Sequence, residues 1–90
     1  MHLSSALLYM NKIVCKVEAV WDAIAEVWTA ASDDVPGLAT EAETLETLTQ
    51  KLRVMVPELL QLNSVLSQTH ASTITIELTS HRQEYVEVAA

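Results

Sequence analysis

Apolar residues in the first third of the chain recur with a seven-residue spacing. Leu3, Met10, Val17, Ile24 and Ala31 form one column, Ala6, Ile13, Val20 and Val27 a second, and Leu7, Val14, Trp21 and Trp28 a third. Three adjacent columns make the wide stripe of a core-facing helix, so the spacing predicts a helix over about 3–32, roughly 40 Å long. Ser32-Asp33-Asp34-Val35-Pro36-Gly37 interrupts it, with acids suited to turns, a proline that biases Val35 away from helix, and the chain's single glycine. The turn is placed at 33–37.

A second set of columns follows. Leu38, Leu45, Leu52, Leu59 and Leu66 form one, and Leu48, Met55 and Leu62 the other. This predicts a helix over about 38–70, opened either by a Thr40–Glu43 capping box or nearer Pro36 with Asp34 as cap. The phase continues through Pro57, which predicts a helix kinked there rather than broken, although a new helix starting at Pro57 stays open. In the tail, 71–90, residues 73–78 alternate apolar and polar and are rich in β-branched types, so they are read as extended. Residues 80–88 are open to strand or helix.

The fold class expected is therefore all-α: one domain over 1–90, a long antiparallel helical hairpin with a short extended or helical tail. Ninety residues bury a modest core, and two rods cover only a strip of each other. Trp21 and Trp28 would each carry about 150–250 Å² to be covered. A helical bundle assembled from two copies, or docking on a helical partner, is the expected remedy. Val17, Ile24, Trp21 and Trp28 are the apolar residues expected to bind it.

Charge refines the partner. The net charge is −7, and between Lys16 and Lys51 stand eight acids and no base. Glu18, Asp22 and Glu26 are four apart and would line one helical face, with Glu43 returned to the same end by the turn. Such a surface disfavours direct nucleic-acid or anionic-membrane binding and complements a basic partner. The alternative function is thus an acidic inhibitor that occupies a basic groove of a nucleic-acid-handling protein by mimicking phosphates.

Chemistry adds little. His2, His70 and His81 lack metal-ligand spacing, and Cys15 alone makes neither a zinc set nor an internal disulfide. By the heptad count Cys15 points away from the main stripe, so it is either exposed or packed under the tail. A helical tail would align Glu77, His81 and Glu84, a weak metal triad at most. With one glycine there is no phosphate loop, and no serine lies in a nucleophile turn. No motif identifies a family. The expectation is a cytoplasmic, non-enzymatic adaptor or assembly protein without cofactor or metal.

Overall fold

The computed structural model describes residues 12–63 and 73–89. Residues 12–31 are not helical. They form two antiparallel strands, β1 (Lys12–Asp22) and β2 (Val27–Ala31), joined by a four-residue turn. A short third strand, β3 (Thr40–Ala42), precedes one helix, α1 (Leu45–Leu62), and a nine-residue strand, β4 (Thr73–His81), follows it. The sheet order is β3-β2-β1-β4, with β4 parallel to β1 and the other pairs antiparallel. The expected all-α hairpin and four-helix bundle are overturned: the fold is mixed α/β, with four strands and one helix among the described residues. The N-terminal part of the expected first helix, 3–11, lies outside the described residues, as does the end of the second, 64–70.

The physical reason lies in two periodicities carried by the same residues. In β1, Ile13, Cys15, Val17, Ala19 and Trp21 are all apolar and all on one side, because successive strand residues point to opposite faces. Seven is an odd number. A column spaced by seven that lines one side of a helix must switch faces along a strand, which is why Ile13 packs against the core whereas Val20, seven residues on in the same strand, is exposed. The β-branched and aromatic content of Ile13, Val14, Val17, Val20 and Trp21 favours the strand.

The turn at 23–26 contains neither glycine nor proline. Asp22 builds it instead: its Oδ1 accepts hydrogen bonds from the amides of Ile24 (3.0 Å) and Ala25 (3.1 Å), and its carbonyl accepts one from Glu26 (2.7 Å). This is an Asx-type turn. Glu26 takes the left-handed conformation, φ 57°, that lets the chain re-enter the sheet. At the other end of the hairpin Ser32 and Asp34 continue the ladder with side chains. Ser32 Oγ donates to the carbonyl of Lys16 (2.6 Å), and Asp34 Oδ2 accepts from the Lys16 amide (2.8 Å). Residues 32–39 form neither strand nor helix, and Val35 and Leu38 within them are buried in the core. Gly37 has φ 80°, a conformation in which other residues are strained.

The helix starts later than either expected cap. Thr44 is its N-cap, its hydroxyl accepting from the Thr47 amide at 3.0 Å, and Glu46 places an acid in the first turn. Thr40 belongs to β3 instead. The helix runs through Pro57 without a break and ends at Asn63, whose amide and side chain both donate to the Leu59 carbonyl. Leu48, Leu52, Val56 and Leu60, four apart, form its buried stripe. They meet the sheet face lined by Cys15, Val17, Ala19, Trp28, Ala30 and Ala42, with Ile74, Ile76 and Leu78 of β4 packed against the edge. The apolar surface that a two-helix hairpin would leave uncovered is thus largely buried within the chain itself.

Candidate interaction surface

Two features of the fold are left without a partner among the described residues. The first is the outer edge of β4. Its inner edge pairs with β1 along all nine residues, from Lys12↔Thr73 to Val20↔His81, while nothing described pairs with the outer one. An edge strand of this length presents a row of amide donors and carbonyl acceptors, a ready template for a further strand. The side chains there are strand formers: Thr73, Ile74, Thr75, Ile76 and Thr79. Ile74, Ile76 and Leu78 are only half-buried, and among the described residues no further strand lies beside them.

The second feature is the arm that continues from β4. Residues 82–89 have no regular structure, and every one is exposed. Tyr85 is 100% exposed, Val86 81% and Val88 92%. Single exposed apolar residues are ordinary, but three within four positions on an unsupported arm are not. The arm is anchored at its root. The Arg82 guanidinium lies 4.1 Å from the centre of the Trp21 ring and 5.9 Å from that of Trp28, and its Nε donates to Glu84 Oε2 at 2.6 Å. Trp21 and Trp28 are cross-strand neighbours on the helix-facing side of the sheet, so Arg82 stands on that side too.

The residues expected to bind a partner are dispersed. Val17 is core, and Trp28 is buried in it. Trp21 is half-buried beneath Arg82, and Ile24 caps the exposed hairpin turn. Asp22 and Glu26 build that turn, so they do not share a helical face with Glu18. Glu18 lies on the sheet face opposite the helix, 3.6 Å from His81 Nε2. Glu43 is exposed between β3 and α1, in a shallow groove with Thr44, Thr47 and Lys51. Trp21 and Trp28 do meet, at 5.4 Å between ring centres. From the sequence, 73–78 are expected as a strand that could pair with a second copy or a partner sheet; what sequence reasoning did not single out is the exposed arm after it, although the apolar Tyr85, Val86 and Val88 were there to read.

Of the two positions expected for Cys15, exposed or packed under the tail, the structure gives the second: it is buried beside Ile76 of β4, although it faces the core rather than away from it. Burial, reinforced by the nearby Asp34 carboxylate, pushes its thiol pKa up, so the reactive thiolate is disfavoured. Among the described residues no three His, Cys, Asp or Glu side chains gather as a metal set. Glu77, His81 and Glu84 lie along strand and arm rather than on one helical face. No helix among the described residues is long and apolar enough to cross a membrane.

These features define a class: a two-layer α/β protein with a mixed four-stranded sheet, one face covered by a helix and, among the described residues, one long edge open. The chain belongs to the family of the domain of unknown function DUF1902, whose model matches residues 14–89. It is also similar to the crystal structure of a hypothetical protein from the extremely thermophilic bacterium Thermus thermophilus. That similarity has a TM-score of 0.61 and 51% sequence identity, over 83% of this chain and 99% of that one. No curated protein matches the sequence.

Proposed function

We propose that this chain is a non-enzymatic protein-interaction module, an adaptor or assembly subunit that associates through the outer edge of β4 and the arm after it. One observation carries the reading: Tyr85, Val86 and Val88 stand in solvent directly beyond a nine-residue unpaired strand edge. Burying each valine is worth about 1.5 kcal/mol or more, and strand addition would satisfy the edge's free backbone groups as well. A helical partner, the other expectation, has less to dock on, since the stripe of α1 is already spent on the sheet. The buried, protonated Cys15 and the scattered acids support a binding role over catalysis. A lone thiol also suits the reducing cytoplasm.

The test is quantitative affinity capture from host extract together with light scattering on the purified chain. Association with itself or with a captured protein is expected, and Val86→Glu with Val88→Glu should abolish it. A chain that stays monomeric and captures no more than this variant does would remove the reading.

A second reading has one observation in its favour. The sheet face away from the helix carries Glu18, Glu41 and Glu77 against Lys16, so an acidic surface survives although its members differ from those expected. Such a face would complement a basic groove on a nucleic-acid-handling protein. Charge reversal at Glu18, Glu41 and Glu77 should then abolish capture, whereas an interface built on the arm tolerates it.

A further inference from the structure

We infer that the partner of the β4 edge is a second copy of this chain, with the two copies exchanging their arms as added strands. The inference rests on the interaction reading above and names its occupant. The arm supplies residues 82–89, and β4 offers nine, so an arm laid antiparallel along a neighbour's β4 fills it from end to end.

Side-chain pattern matches as well as length. In β4 the even positions Ile74, Ile76 and Leu78 face the helix layer, and Arg82 on the tryptophan pair shows that the alternation persists past the end of the strand. Taken up as a strand, the arm therefore presents Val86 and Val88 to the helix side. Consider a two-fold axis normal to the sheet at His81, with His81 opposite its own copy. That register sets Val86 against Ile76 and Val88 against Ile74 of the other chain, covering the half-buried isoleucines with the exposed valines. On the opposite face Tyr85 meets Glu77 and Gln83 meets Thr79. Apart from the His81 pair on the axis, no two residues of like charge stand directly opposite. The contact is isologous, so one axis satisfies both edges and both arms at once and the assembly closes as a dimer.

The test uses the full chain. Sedimentation equilibrium should give a mass near twice 9.9 kDa. Val86→Glu with Val88→Glu changes only exposed residues, so folding is preserved, and it should weaken association at least about 100-fold. Glu77→Cys with Tyr85→Cys should be joined between chains by a short bismaleimide, since within one strand these positions are about 26 Å apart. Cys15 is buried and does not compete. A dimer that resists the valine variant and gives no interchain link uses another surface and overturns the inference. A link within a monomer means that the arm folds back on its own strand, which overturns it too. A monomer that still captures a host protein through the arm overturns the second copy but leaves the interaction reading standing; a monomer without arm-dependent capture removes both.

Discussion

Trp21 and Trp28 face each other across the β1–β2 hairpin, ring centres 5.4 Å apart and planes tilted by 59°, with the Arg82 guanidinium stacked on Trp21. A tilted pair at this distance adds about 0.5–1.5 kcal/mol to the burial of the rings. The pair therefore joins three parts of the chain: hairpin, core and the root of the arm. Trp28→Ala should cost about 3–5 kcal/mol in urea unfolding, because it empties a buried site. Arg82→Ala should cost only about 0.5–1 kcal/mol, as its guanidinium is exposed, yet shift the tryptophan emission. Equal losses for the two variants would contradict this geometry.

The hairpin turn stores a small strain. Glu26 sits at φ 57°, where a side chain is disfavoured by about 1–2 kcal/mol and glycine is not. Glycine also loses more chain entropy on folding, which offsets part of the gain. Glu26→Gly should raise stability by up to about 1 kcal/mol. Asp22→Ala deletes the acceptor of two turn amides and should lower it by about 1–2 kcal/mol. Thermal unfolding of the two variants beside the parent checks the opposite signs.

That turn also explains why the strands were hard to read. Ala23, Ile24, Ala25 and Glu26 include good helix formers and no glycine or proline, so nothing in the local chemistry interrupts a helical period across 12–31. The bend is encoded by one carboxylate, Asp22, whose capping role shows only once its neighbours are placed. The helix itself was legible, because Leu48 and Leu52 lie on a leucine stripe that no alternation competes with. Its start was not: Thr40–Glu43 and Thr44–Thr47 both offer a hydroxyl ahead of an apolar run, and the strand claimed the first. Residues 73–78 read as extended since their alternation is strict and β-branched. The interaction surface was the least legible part. An apolar residue's type does not say whether it is covered, and Val86 and Val88 stand exposed on an arm that runs past the end of β4.

Cys15 makes the fold sensitive to alkaline pH. Its thiol pKa is raised from the ordinary 9.0 by burial first and by the Asp34 carboxylate second, so the neutral thiol is the form the fold favours. The stability from this site is therefore complete below about pH 9. It is lost as the pH climbs from there through the folded pKa, because the unfolded chain gives up its proton first. Cys15→Ala should lower stability at pH 7 and flatten the decline above pH 9 relative to the parent. Thiol reagents at neutral pH should label Cys15 only in denaturant. Rapid labelling of the native chain would mean that the thiol is not enclosed between β1 and α1.

The most discriminating experiment compares two residues that a helix would treat alike. Val17 and Ile24 are seven apart and share one helical column, so a helix over 3–32 would bury both. In the sheet Val17 is fully buried under α1, whereas Ile24 stands 97% exposed on the turn. Val17→Ala should cost about 1.5–3 kcal/mol through lost burial and the cavity left beneath Leu48 and Leu52. Ile24→Ser removes more apolar surface yet should change stability by less than about 0.5 kcal/mol. Urea midpoints at constant slope would report the difference directly. A large loss for Ile24→Ser would place its side chain in a core and contradict the hairpin turn on which the whole sheet depends.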